Sequence, residues 1–107
     1  MSDVEELKSE VAAFCKMRDW DQFHTNKELA AAIAIEAAEL QDVFLWNRDA
    51  KPGKVREELA DVFIYALRMA ERNNFDVAEI VRAKLAANAA KYPVEKCRGT
   101  AKKYTEL

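Results

Sequence analysis

Glycine and proline are scarce in this chain, at two residues each in 107, which leaves a sequence sparing with turns. Cysteine is scarce too: Cys15 and Cys97 stand far apart and outside any C-x-x-C pattern, so neither a disulfide framework nor a zinc site is indicated. A reducing compartment is the expected setting. A single histidine, His24, leaves Glu-x-x-His di-iron bundles without their nitrogen ligands. Positive charge is not in excess. The formal net charge of −2 argues against a protein that grips polymeric nucleic acid through its phosphates. No apolar run approaches the roughly 20 residues that a membrane span needs, and the opening residues Met1 to Glu6 are acidic rather than signal-like. The expectation is a soluble, cytoplasmic protein with no membrane partner.

Half of the residues are hydrophobic and 34% are charged, and with so few turn formers this composition predicts an all-α fold. At this length one domain, 1–107, is expected, a bundle of about four helices that oligomerisation would help to complete. A capping box, Ser2-x-x-Glu5, opens the first helix, which runs to about Arg18. The loop Arg18 to Thr25 mixes aromatic and polar residues without period and ends at a second box, Thr25-x-x-Glu28. Trp20 and Phe23 in that loop plug the core or line a pocket, two readings that composition leaves open. The second helix is expected from about Asn26 to Trp46 or Asn47. The link Arg48 to Gly53 carries the strongest turn signal and implies antiparallel neighbours. A third helix covers about Lys54 to Arg72 and ends at Asn73-Asn74, where Asn tolerates a left-handed cap. Asp76-x-x-Glu79 opens a fourth, which runs to about Ala90 before Pro93 stops it, and 93–107 reads as a basic C-terminal tail.

Two carboxylate pairs interrupt the apolar helices: Glu36-x-x-Glu39 and Glu58-x-x-Asp61. On a wheel of about 100° per residue, Leu29, Leu40 and Val43 fall within about 40° of Glu36, which puts that acid inside the apolar stripe. Val62, Tyr65 and Met69 surround Glu58 in the same way, and Glu39 and Asp61 each flank their stripe by about 60°. Acids at i,i+3 are common on solvated helices, so one pair alone means little. Two pairs on apolar faces, separated by 18 residues across an expected hairpin, are a stronger pattern. Lys54, Arg56 and Arg68 are the nearby bases, but Arg68 falls at the edge of the stripe and Arg56 opposite it. Unpaired carboxylates in an apolar site bind a cation or take up a proton, and Mg²⁺ suits a site of carboxylates, water and phosphate oxygens. Mn²⁺ is the alternative ion.

Three function classes fit four such acids. A Mg²⁺-dependent phosphate hydrolase would use the ion and an activated water; a di-iron bundle lacks its histidines; a non-catalytic helical oligomerisation or binding module would carry the acids on its surface. The hydrolase also needs cations for phosphate. Lys84, Asn88 and Lys91 share one face of the fourth helix, as a phosphate contact or as a solvated row. Trp46 falls on the side of Glu39 and is a candidate wall of the metal site, and Tyr65 could present its hydroxyl to a sugar or fill core.

The E-x-x-E and E-x-x-D pairs resemble those of the MazG-like all-α nucleoside triphosphate pyrophosphohydrolases, to which Glu36, Glu39, Glu58 and Asp61 correspond. Further stretches, RDWDQFH at 18–24, Phe44-Leu45-Trp46, EELADVFIY at 57–65, Asn88 with Tyr92-Pro93, and KYTEL at 103–107, look like the dCTP pyrophosphatase branch. The resemblance implies Mg²⁺-dependent conversion of a small-molecule nucleoside triphosphate, dCTP or a modified dCTP, to the monophosphate and pyrophosphate, in a homodimer or homotetramer. It implies that the four acids hold the metal, that Trp20, His24 and Trp46 shape the base pocket, that Tyr65 meets the deoxyribose, and that Lys84 and Asn88 approach the phosphates; Phe23, in the same loop as Trp20, is expected among the substrate-binding residues. Two departures bear on base preference: the link between helices two and three is shorter than in mammalian members of that branch, and Val11 stands where they carry a histidine.

Overall fold

The computed structural model describes residues 3–46 and 49–107. All regular structure among them is helical: α1 (Asp3–Met17), α2 (Asn26–Asp42), α3 (Pro52–Arg72), α4 (Val77–Lys91) and α5 (Val94–Cys97), with 3₁₀ turns at Asp21–Phe23 and Tyr104–Glu106. The expected all-α class holds. The expected Ser2 cap and the Asn47-Arg48 portion of the link lie outside the described residues.

The described residues fall into two compact units, Met1–Phe75 and Asp76–Leu107. In the first, α3 packs against both α2 and α1. The N-cap of α2 forms as its sequence predicts, with the Thr25 side chain accepting from the Glu28 amide at 3.2 Å. Asn26 and Asn73 exchange amide hydrogen bonds at 3.0 and 2.7 Å, which sets the start of α2 beside the end of α3 and makes the pair antiparallel. Lys8 of α1 donates to the Phe75 carbonyl at 2.8 Å and ties α1 to that same end. Asn74 takes the left-handed conformation expected after α3, with φ of 57°.

Helix boundaries differ from expectation in two places. α2 stops at Asp42 rather than Trp46, because the amides of Val43, Phe44 and Leu45 bond to carbonyls three residues back and tighten the chain out of the α ladder. Phe44, Leu45 and Trp46 are all exposed, so no packing supports another turn there. α3 begins earlier than Lys54, at Pro52, where the missing amide of a proline is harmless in the first turn.

The second unit opens on the Asp76 cap, whose carboxylate accepts from the Glu79 amide at 3.0 Å. After Pro93 the chain does not run out as a plain tail. It forms α5 and a 3₁₀ turn that brings Tyr104 edge-on to Tyr92 at 5.9 Å, with the Lys91 ammonium 5.0 Å from the Tyr104 ring centre.

Few side chains are withdrawn from solvent. Among the described residues, Cys15, Leu29 and Ala70 are the buried apolar ones, while Leu7, Phe14, Ile35, Leu59, Phe63 and Ile64 of α1 to α3 remain exposed.

Candidate metal centre and its cavity

Because α2 and α3 are antiparallel and clipped at one end, their middles face each other. Glu36, Glu58 and Asp61 each direct one carboxylate oxygen into a common space, with the three oxygens within 4.8 Å of one another. One oxygen of Glu36 and one of Glu58 are buried without a hydrogen-bond partner. Among the described residues no lysine or arginine pairs with any of the three; Lys54, about one turn before Glu58, reaches Glu57 instead, at 3.9 Å. Glu39, one turn along, is exposed and stands outside the trio, though its charge still bears on Glu36. The Glu36 carboxyl is held above its ordinary value of 4.5, first by burial and then by the adjoining Glu39, with Asp61 and Glu58 adding to the effect.

Orphaned buried acceptors of one sign are costly unless something positive sits between them. Hard oxygen donors from three or four carboxylates, in a cluster that among the described residues includes no histidine nitrogen or cysteine sulfur, fit a hard divalent cation such as Mg²⁺. On that ground the residues present fit the expected ion.

Beside the acids lies a cavity of about 200 Å³, lined by Glu36, Asp61 and Tyr65 together with Phe14, Cys15, Trp20, His24, Ile64 and Arg68. The loop 18–25 supplies its other wall. Asp19 adopts a left-handed φ of 55°, and the Trp20 amide returns to the Cys15 carbonyl at 3.0 Å, folding the loop back over the end of α1. Trp20 then meets Phe14 edge-on at 5.8 Å and lies tilted 6.3 Å from His24. Burial, followed by the charges of Glu36 and Asp61, raises the Tyr65 phenol above its ordinary 10.0, so it stays a proton donor. Burial likewise keeps the Cys15 thiol protonated.

Of the residues singled out in the sequence, then, Glu36, Glu58, Asp61, Trp20, His24 and Tyr65 share one region. Phe23 and Trp46 are 61% and 89% exposed and do not line this cavity. Lys84 and Asn88 sit one turn apart on α4 in the second unit, the first exposed and the second half-buried.

Arg68 was the residue that sequence reasoning undervalued. It is 2% exposed, and its guanidinium bonds to Asp21, to Glu71 and, through Nε–H at 2.9 Å, to Nδ1 of His24. A wheel places it at the edge of the α3 stripe but carries no information about partners 44 and 47 residues away. The acidic loop residue Asp21 beside a stripe-edge arginine was the available signal. Cys15, Phe14 and Ile64 also line the cavity, and no chemistry in the sequence distinguished them from ordinary core.

The description of the MazG-like family matches residues 31–107, and the chain belongs to that family. Individual relatives narrow the setting. Over an alignment of 117 positions the chain is 38% identical to dCTP pyrophosphatase 1 of Rattus norvegicus, covering 100% of this chain and 67% of the relative. It is 36% identical to dCTP pyrophosphatase 1 of Homo sapiens with the same coverage. The crystal structure of a pyrophosphatase from Archaeoglobus fulgidus superposes with a TM-score of 0.79 and 36% identity, over 87% of this chain and 94% of that one.

Proposed function

We propose that this chain is a nucleoside triphosphate pyrophosphohydrolase that uses Mg²⁺, or Mn²⁺ in its place, to convert dCTP or a modified dCTP to the monophosphate and pyrophosphate, in the control or sanitation of a nucleotide pool. The observation that carries this is the pair of buried, partnerless carboxylate oxygens on Glu36 and Glu58 with Asp61 beside them, opening on a cavity walled by aromatic and polar side chains. Family membership and relatives that are dCTP pyrophosphatases support both the reaction class and dCTP as the substrate.

Glu36, Glu58 and Asp61 would hold the ion, with Glu39 completing the set. Bound there, a divalent ion supplies charge neutralisation for the triphosphate and lowers the pKa of a coordinated water. The remaining work falls to the chain. A carboxylate of the cluster orients the attacking water; stabilising charge on the phosphoryl oxygens is the main rate contribution. Trp20 offers a flat face for a base, His24 a ring nitrogen for its edge, and the Tyr65 hydroxyl a donor for the sugar. Trp46 keeps the pocket role, and Lys84 and Asn88 the phosphate role, that the resemblance gives them, and Phe23 stays among the substrate-binding residues. The apolar side chains left exposed on α1 to α3 support assembly into a homodimer or homotetramer, and the reading goes with a cytoplasmic setting.

Pyrophosphate release from a panel of canonical and modified nucleoside triphosphates, with Mg²⁺ and with chelator, tests the proposal. Metal-dependent release favouring dCTP or its modified forms is expected. Release from another base would retain the reaction and move the specificity, and release from none would return the chain to a binding module.

A further inference from the structure

His24 is the one histidine in the chain, and its two ring nitrogens are not equivalent. Nδ1 accepts from Arg68 Nε–H at 2.9 Å, and the guanidinium has no acceptor capacity and no proton to lose near neutral pH. A neutral imidazole that accepts at Nδ1 must carry its hydrogen on Nε2. Among the described residues Nε2 has no hydrogen-bond partner, and His24 lines the cavity that holds Trp20, Tyr65 and the acids.

The ring is held in this state from several directions. Arg68 is anchored on α3 by Glu71 and bridged to the loop by Asp21. The His24 amide bonds to the Asp21 carbonyl at 3.3 Å, and Arg72 Nε donates to the His24 carbonyl at 3.2 Å. Burial and the Arg68 charge, outweighing Asp21, lower the affinity of the ring for a second proton.

We propose that Arg68 is a positioning residue that fixes His24 in its Nε2–H tautomer, so that the cavity presents a hydrogen-bond donor to an acceptor on the edge of the bound base. This rests on the reading of the cavity as a nucleotide pocket. An exocyclic amine at that point meets a donor and is disfavoured; a carbonyl or ring nitrogen is accepted. Without Arg68 the ring samples both tautomers, and Nε2 turns acceptor for part of the time.

The test uses the full-length protein with ¹⁵N-labelled histidine, in which one residue supplies every ring signal. In the wild type at pH 7.5 the Nδ1 resonance should be that of an unprotonated nitrogen and Nε2 that of an N–H. Adding Mg²⁺ and a non-hydrolysable α,β-imido dCTP should perturb Nε2 much more than Nδ1. In Arg68→Lys, which keeps the charge but not the fork, the two resonances should move toward each other. For the preferred triphosphate KM should rise about tenfold, as expected for loss of one hydrogen bond, with kcat nearly unchanged and base selectivity reduced.

An Nδ1–H or doubly protonated ring in the wild type would overturn the proposal, as would a ligand effect confined to Nδ1. So would an Arg68→Lys protein with unaltered resonances and KM. If that variant does not fold, the wild-type tautomer and its ligand response still decide the matter. Absence of triphosphate hydrolysis by the wild type would instead sink the nucleotide reading, and the tautomer measurement separates that failure from this one.

Discussion

Replacing Glu36 by Gln should make the metal-free protein more stable while removing its response to Mg²⁺. The carboxylate oxygens of Glu36, Glu58 and Asp61 lie within 4.8 Å of one another. At such a separation two unit charges repel by about 1 kcal/mol in water and about 3 kcal/mol at an effective dielectric constant of 20. All three acids are half-buried, so the water-like end of that range applies, and removing one charge relieves two pairs, about 1–2 kcal/mol in all. In a domain of this size that corresponds to a Tm increase of roughly 5–10 °C. Thermal melts at one fixed protein concentration, in chelator and in excess Mg²⁺, make the comparison. The wild type should gain about 2.7 kcal/mol with the ion at a hundred times its Kd, and Glu36→Gln should gain far less. Should the variant melt below the wild type in chelator, or gain as much from Mg²⁺, the three acids are not a cation site and their convergence is incidental.

Asp61→Asn should lose turnover by at least two to three orders of magnitude, the scale of removing a charge-stabilising group, while its far-UV circular dichroism stays that of the wild type. Trp46→Ala should raise KM without lowering Tm, since the side chain is 89% exposed and supports no packing; a loss of Tm alone would return it to a structural role. The depressed affinity of His24 for protons means that its contribution to stability is present above its ordinary 6.5 and is lost as pH falls through the lower value it has in the folded protein. Denaturant unfolding of the wild type minus that of His24→Asn should show this difference shrinking on acidification from pH 7.5 to 5.5. Light scattering at micromolar concentration should find a dimer or tetramer, and a monomer would leave the exposed apolar side chains of α1 to α3 unexplained.

The carboxylate cluster was legible in the sequence because each pair is local: i,i+3 spacing and the apolar stripe around it are helical-wheel facts, and a short link places the two stripes opposite each other. Caps at Thr25 and Asp76 were legible for the same reason, since they rest on residues three apart. What escaped was long-range or aperiodic. The end of α2 depended on whether Phe44 to Trp46 had anything to pack against, and a strong local hydrophobic pattern could not reveal that it had not. The role of Arg68 depended on a loop with no period folding back onto α3. A stripe-edge arginine is ordinarily a solvated residue whose stem lies along the core, and only the tertiary arrangement makes this one the most deeply enclosed charge among the described residues.

The paired amides of Asn26 and Asn73 fasten the α2–α3 hairpin at the end away from its link. The chain itself joins the other end, so both ends of the two helices are tied and the acids sit on a span that has little room to part. Repulsion among the carboxylates is therefore carried by the fold as a standing load rather than relieved by separation of the helices, and a cation between them would remove that load without either helix having to travel.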